Sequence, residues 1–182
     1  MWPFYRRCHL SINWQWYAVQ PDISLNGELL TVKWDLDNPH TLNITVQPED
    51  IDGLGHANNT VYVGWLERCA WEHSQRLGLG VSDYRTLDRA MAVFRHEIDY
   101  LSAAYEGDEL VMATWIINWD KKLRMTRHFQ LCRVSDGATL LRARTTFVCI
   151  EVSTGKPKRM PAEFIEVYAR GITPEKSEAA AV

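Results

Sequence analysis

The residues most suited to chemistry lie in one stretch, 48–67, where an acidic, glycine-containing segment runs into an apolar one. Asp50 and Asp52 supply two carboxylates, and Asn58 and Asn59 stand directly before the apolar run. Asparagine is a favoured helix N-cap, because its side-chain oxygen accepts an N–H of the first turn. A helix N-terminus also offers free N–H donors and partial positive charge. A carboxylate next to such donors suits acyl-transfer chemistry.

Composition and charge exclude several classes of protein. A length of 182 residues suits one domain with a sizeable core, and a net charge of −3 gives no basic field for nucleic acid. No apolar run reaches the length of a membrane span. The four cysteines are scattered without a CxxC pair, which favours free thiols in a reducing cytoplasm. His56 has no second histidine or cysteine at ligand spacing, so no metal site is predicted.

The pattern of apolar residues predicts an α+β fold. A β-branched strand at 41–46 precedes a helix over 58–77 that Gly78 and Gly80 end. Four strands and a short helix follow, predicted at 91–100, 110–119, 124–133, 139–152 and 161–169. The first three turns of the long helix are apolar almost all round, which predicts a buried helix with the sheet curled around it.

Residues 1–31 differ from the remainder, because their aromatic side chains follow no clear period and no apolar run follows Arg6 and Arg7. A secretory signal is therefore not predicted. We interpret this segment as a peripheral extension, on the hypothesis that Val32 is the natural start if its codon is GTG. The single folded domain is predicted over 32–172, with a flexible tail over 173–182.

The chain resembles the hot-dog-fold thioesterases, in the branch of the 4-hydroxybenzoyl-CoA thioesterases, over about residues 40–170. The residues that carry the resemblance are Asp50, Asp52, Gly55, His56, Asn58, Asn59, Tyr62, Trp65 and Glu67, then 100–108, and then Trp119, Lys121, Lys122, Arg127 and His128. It implies a curled antiparallel sheet of five or six strands wrapped around a long central helix. It further implies hydrolysis of an acyl-CoA thioester to free acid and coenzyme A without a cofactor. Edge-strand pairing into a dimer or tetramer is the implied assembly.

The same resemblance implies roles for three catalytic residues. Asp52 matches the family's catalytic carboxylate, acting either as a general base or as a nucleophile. The backbone N–H of Asn59 falls where this branch places its oxyanion donor. His56 either orients the reacting groups or holds the loop. The plant acyl-carrier-protein thioesterases share part of the pattern, but Leu54 stands where they carry asparagine, which argues against their catalytic set.

Two groups of residues are predicted to contact substrate. The first lies around the carboxylate loop and the helix start: Gly55, Asn58, Tyr62 and Glu67. The second comprises Lys121, Lys122 and Arg124, at a turn where the family binds the coenzyme A phosphates. For the basic residues a solvated hairpin tip stays open as an alternative, and for Glu67 a structural ion pair.

Two alternative functions also stay open on the sequence. One is a hot-dog hydratase or dehydratase, which pairs a histidine with an acid. The other is a non-catalytic module that binds acyl-CoA or an acyl carrier protein. Fold alone does not separate these from a hydrolase.

Overall fold

The structure, a computed structural model, describes residues 32–173. Residues 1–31 and nearly all of the tail therefore lie outside the described part of the chain. The elements, in chain order, are β1 His40–Thr45, a 3₁₀ turn Pro48–Asp50, α1 Asn59–Leu77, α2 Val81–Leu87, β2 Arg89–Tyr100, β3 Glu109–Trp119, β4 Arg124–Arg133, β5 Thr139–Glu151 and α3 Ala162–Ala169. Within this range no helix is long and apolar enough to cross a membrane.

The five strands form one antiparallel sheet in the order β1-β3-β4-β5-β2. β2 and β1 are the two edges, and β2 is the more exposed, because most of its residues from Val93 to Tyr100 face solvent. α1 packs on the concave face, mainly against β1 and β3. The predicted fold, a curled sheet around a long helix, is confirmed with five strands.

α1 forms where the sequence predicts it, and both its ends are capped. The Asn58 side chain accepts the Thr60 N–H at 2.9 Å, and Gly78 ends the helix in the left-handed conformation at φ 111°. One face is buried in the core, at Tyr62, Trp65, Leu66, Cys69, Ala70, His73 and Ser74. The opposite side, including Gly64 and Glu67, is exposed. The helix of a single chain is thus buried on one side only, in contrast to the all-round burial that its apolar turns predict.

The sequence did not predict α2, because Gly78 and Gly80 suggested the end of regular structure. Gly80 is in fact the N-cap of α2, and its N–H donates to the Asp83 carboxylate at 2.8 Å. Tyr84 on this helix is buried, with 6% of its surface exposed. α2 therefore serves to insert a tyrosine hydroxyl into the core.

A strap, residues 32–38, crosses the face of the sheet opposite α1. Trp34 packs edge-on against Trp115, with ring centroids 6.2 Å apart. Asp35 accepts two hydrogen bonds from Arg142, at 2.8 and 2.9 Å, and a third contact at 2.9 Å comes from the His128 ring. These contacts lower the pKa of Asp35. The strap thus covers apolar strand residues that would otherwise face water.

Two histidines stack in the interior between β1 and α1. The rings of His40 and His73 are nearly parallel, with centroids 4.9 Å apart. Burial, with the nearby Arg76 and Arg127 charges, lowers the pKa of His40 from 6.5 to about 4, and burial with Arg127 lowers that of His73 to about 2. Both rings are therefore neutral at pH 7.

Because folding disfavours the protonated form of both histidines, the unfolded chain binds more protons below pH 6.5 and the fold loses stability as pH falls from there. His40→Phe keeps a stacked ring and removes one titrating group. We expect a smaller fall in the urea midpoint between pH 7.5 and 4.5 than in the unsubstituted protein. The same fall in both proteins would contradict the assignment of His40 as an acid-sensitive group.

Candidate functional site

The loop before α1 holds Asp52 in a closed turn. The Asp52 N–H donates to the His56 carbonyl at 2.9 Å, and the Gly55 N–H donates to the Asp52 carbonyl at 3.1 Å. Gly55 has φ 84°, a left-handed conformation that glycine adopts without a steric penalty. One carboxylate oxygen of Asp52 accepts the Leu54 N–H at 2.8 Å. The turn thus fixes the direction of the carboxylate.

His56 lies beside this carboxylate. Its Nδ1 is 3.6 Å from Oδ2 of Asp52, the oxygen that Leu54 does not occupy. The side chains keep 38% and 25% of their surface exposed, respectively. The pair is therefore accessible to a ligand, and the two side chains lie just beyond direct hydrogen-bonding distance.

Asp50, the competing carboxylate, has a structural task. Its Oδ2 accepts the Gln47 N–H at 2.9 Å and caps the 3₁₀ turn, while its carbonyl accepts the Asn58 N–H at 2.9 Å. Both functional groups of Asp50 thus tie the loop to the start of α1. The Asp52 side chain, in contrast, does not cap the 3₁₀ turn.

The first turn of α1 presents an unused N–H. Asn58 accepts both the N–H and the hydroxyl of Thr60, at 2.9 and 2.8 Å. Within residues 32–173 the N–H of Asn59 has no hydrogen-bond acceptor, as expected for the first residue of a helix. Six residues of chain thus separate the oriented Asp52 carboxylate from the free N–H of Asn59.

Tyr62 holds the N-terminal end of α1 to the loop between β2 and β3. It is 3% exposed, and its hydroxyl accepts the Ala104 N–H at 3.1 Å. The Ala104 carbonyl accepts the Ala57 N–H at 2.8 Å, and the Tyr100 hydroxyl donates to the Asn59 carbonyl at 3.3 Å. Tyr62 was predicted to contact substrate, and the structure places it in this supporting network.

A cavity of about 420 Å³ lies between α1 and the strands β2, β4 and β5. Its walls are mostly apolar, and include Val63, Leu66 and Trp71 of α1 with Phe129 and Phe147 of the sheet. A volume of this size suits a small-molecule group. Asp52 and Asn59 do not line it, but Val63 follows Asn59 by one helical turn on the same face.

Glu67 lies at the exposed side of this cavity, one further turn along the same face of α1. It forms no ion pair within the described residues, so the structural ion pair that the sequence left open is not found there. His96 also lines the cavity, and its Nδ1 lies 2.9 Å from the Thr145 hydroxyl.

The far end of the cavity contains a buried cation. Arg127 is 1% exposed, and its guanidinium bonds Nδ1 of His73 at 2.8 Å and the Ser74 hydroxyl at 2.9 Å. The Tyr168 ring lies under it, with the centroid 6.0 Å away, and the Tyr168 hydroxyl contacts that of Tyr84. No carboxylate of residues 32–173 forms an ion pair with Arg127.

The sequence assigned no role to Arg127, although one signal was available. Met125, Phe129 and Leu131 alternate on the inward face of β4, and Arg127 falls in the same phase. A charged residue in an inward position is rarely buried without a partner. The family resemblance includes Arg127 without a role, and its inward position on β4 is the signal that predicts its burial.

The predicted phosphate-binding residues lie far from Asp52 within one chain. Lys121, Lys122 and Arg124 are exposed at the β3–β4 turn, whereas the Asp52 loop lies near the start of β3, where Val46 bonds to Asp108. The length of β3, roughly 33 Å at 3.3 Å per residue, separates the two regions. A single chain therefore does not bring the two predicted groups together.

Two basic segments do meet at this end of the sheet. The Met160 N–H donates to the Lys122 carbonyl at 2.7 Å, which holds the loop with Lys156, Lys158 and Arg159 beside the β3–β4 turn. Lys158 is paired with Glu151. The Asp120 carboxylate accepts the N–H groups of the turn, which lower its pKa and fix the turn's shape.

Known structures with this fold include three with informative names. A 1,4-dihydroxy-2-naphthoyl-CoA thioesterase from Synechocystis is 20% identical with a TM-score of 0.65, covering 72% of this chain and 96% of that one. A Staphylococcus aureus protein solved in complex with CoA is 20% identical with a TM-score of 0.68, covering 76% and 86%. A predicted thioesterase from Bacillus stearothermophilus is 24% identical with a TM-score of 0.63, covering 75% and 98%.

No curated protein matches the chain. The likeness to these solved structures confirms the predicted hot-dog fold. At the level of sequence, the model of the thioesterase-like superfamily matches residues 46–167, which include the Asp52 loop, all of α1 and the sheet from β2 to β5. The chain belongs to the thioesterase-like superfamily.

Proposed function

We propose that the protein hydrolyses an acyl-CoA thioester to the free acid and coenzyme A. The observation that carries the proposal is the oriented Asp52 carboxylate, held in a turn directly before a helix whose first N–H has no acceptor within residues 32–173. Membership of the thioesterase-like superfamily supports the reaction class. Among the structures with this fold, one is named a CoA thioesterase and another contains CoA, which supports CoA as the carrier.

In the proposed reaction the Asn59 N–H donates to the thioester oxygen as negative charge develops on it. The dipole of the 19-residue helix α1 favours charge at the same point. Asp52 removes a proton from water as the water oxygen attacks the carbonyl carbon. The C–S bond then breaks, and the proton on Asp52 passes to the departing thiolate, which gives the free acid, the CoA thiol and the ionised Asp52. Direct attack by Asp52, through a mixed anhydride that water then cleaves, is the second route.

His56 has a supporting role in this scheme. Its ring is 3.6 Å from Asp52, close enough to orient the carboxylate and a water molecule beside it. Gly55 and Asn58 shape the loop that holds the pair. The alternative hydratase function would use the same His56 and Asp52 without releasing thiol.

Self-association completes the site in this proposal. β2 is an exposed edge strand that presents Val93 and Phe94 at 50% and 60% exposure, and an apolar edge of this kind favours pairing with another strand. Antiparallel pairing of two copies along β2 would place the Tyr100 end, which contacts Asn59, beside the partner's Arg89 end. The basic β3–β4 turn of the second copy then approaches the Asp52 loop of the first.

Asp52→Asn is expected to reduce kcat by 10²–10⁴-fold with the fold retained, because the amide neither removes a proton nor attacks the carbonyl. Thiol release from a panel of acyl-CoAs, with circular dichroism to verify folding, is the measurement. Asp50→Asn is the matched control, since Asp50 caps the 3₁₀ turn and is expected to retain kcat within a few-fold.

Wild-type turnover in the Asp52→Asn variant would reject Asp52 as the catalytic carboxylate. Thioester binding without thiol release in the unsubstituted protein would instead indicate a binding module. Addition of water to an enoyl-CoA would indicate a hydratase.

Phe94→Asp is expected to produce monomers and to lower thiol release at least tenfold, because it places like charges at a paired edge while leaving Asp52 intact. Sedimentation velocity and the thiol assay measure the two effects. Val152→Asp, at a residue 49% exposed outside β2, is the control and should change neither. A fully active Phe94→Asp monomer would contradict a site shared between copies.

A further inference from the structure

The polar end of the cavity is rich in donors and poor in acceptors. Ser74 accepts from Arg127 and donates to the Ala70 carbonyl at 3.1 Å, so the Tyr168 hydroxyl, 3.2 Å away, donates to the second lone pair of Ser74. Tyr84 then donates to Tyr168. The Tyr168 proton is thus directed toward Ser74 and the Ser74 proton toward a backbone carbonyl, and none of these hydroxyl groups carries negative charge.

The charge of Arg127 is therefore dispersed over neutral groups. His73 is neutral because of its lowered pKa, and burial raises the pKa of Tyr84 and so keeps its hydroxyl protonated. A buried cation without an anionic partner is costly, which is why buried charges are usually paired. Arg127, Tyr84 and Tyr168 all line the cavity, so an anion that entered it would contact the guanidinium and would replace Ser74 and Tyr168 as the acceptor of the two tyrosine hydroxyl groups.

The remaining walls limit what kind of molecule carries this anion. Between the exposed side at Glu67 and the end at Arg127 the lining is mainly aliphatic and aromatic, with Leu66, Phe129 and Phe147 as examples. Such walls stabilise an apolar chain. The complementary ligand is thus an apolar chain that ends in an anion.

The helix gives the length of that chain. Ser74 follows Asn59 by fifteen residues, which is about 22 Å along α1 at 1.5 Å per residue. The Arg127 guanidinium at one end, and the hydrogen bond from Asn59 to the thioester oxygen at the other, occupy part of this distance. Roughly 15–20 Å is then left for the acyl chain between the thioester carbonyl and the terminal carboxylate. With C–C bonds near 1.5 Å, an extended chain advances about 1.3 Å per carbon, so about 12–16 carbons span it.

We propose that this cavity receives the acyl group of the substrate and that Arg127, with Tyr84 and Tyr168, binds a carboxylate at the far end of a long acyl chain. The proposal rests on the thioesterase function proposed above and names its substrate class, the ω-carboxyacyl thioesters. Arg127 is then a specificity-determining residue that contacts the substrate far from the thioester.

The activity test compares matched thioesters. The mono-CoA thioester of hexadecanedioate, with a free ω-carboxylate, is expected to show a kcat/KM at least tenfold above that of palmitoyl-CoA, and Arg127→Met is expected to abolish or reverse this ratio. Tyr84→Phe, which keeps Arg127 in place, should lower the ratio several-fold. Arg170→Met is the control, because it removes an exposed guanidinium that pairs with Glu166. An unchanged ratio in both cavity variants would overturn the proposal.

A binding test separates this proposal from the proposed function. Calorimetry with decanoate and with decanol compares an anionic and a neutral chain of one length, and decanoate is expected to bind at least tenfold more tightly to the unsubstituted protein but not to Tyr84→Phe or Arg127→Met. Binding of decanoate without any thioester hydrolysis would keep the anion site and reject the hydrolase. If palmitoyl-CoA is hydrolysed, but the protein prefers neither the hexadecanedioate thioester over palmitoyl-CoA nor decanoate over decanol, the hydrolase function stands and the anion site is rejected.

Discussion

The burial of one face of α1 against the curled sheet is the interaction on which the site depends. Leu66 and Cys69 are almost fully buried on this face, and each large apolar side chain removed from water stabilises the fold by about 1.5–3 kcal/mol. The helix is thereby fixed in direction and depth. Its N-terminus, with the N–H of Asn59 and the loop of Asp52, occupies a position that the core determines.

Hydrogen bonds then hold the loop that carries Asp52 in a fixed position relative to α1. Ala57 and Ala104 are joined at 2.8 Å, Tyr62 bonds to Ala104 from the helix, and Asp50 ties the 3₁₀ turn to Asn58. Each of these contacts fixes a neighbour of Asp52 and leaves one oxygen of its carboxylate free to face His56. The loop is thus held at several points by groups that take no part in the proposed chemistry.

The sequence predicted the parts of the fold that follow from local chemistry. The Asn58 cap, the glycine at the helix end and the alternation of β4 are local signals, and the structure confirms the elements they indicate. Contacts between residues that are distant in the sequence could not be predicted from such local signals. Lys121 lies at the opposite end of β3 from the Asp52 loop because of the order in which the strands pair, and a local sequence pattern does not predict that order. The strap was missed for a similar reason, since Asp35 reaches Arg142 across 107 positions of sequence.

Position on α1 separates the residues that stabilise the fold from those available to a ligand. The core face is occupied by Tyr62 and Cys69, Val63 and Glu67 on the open side line the cavity, and Leu66 is buried in the core and also borders the cavity. The burial of apolar surface is enough to explain the residue types on the core face, and no role in ligand binding is needed. It does not account for Arg127, which is buried as deeply as the core residues and keeps its charge among neutral partners. An apolar side chain of similar volume would avoid the cost of desolvating a cation, so the presence of arginine at this position is better explained by what enters the cavity than by the stability of the fold.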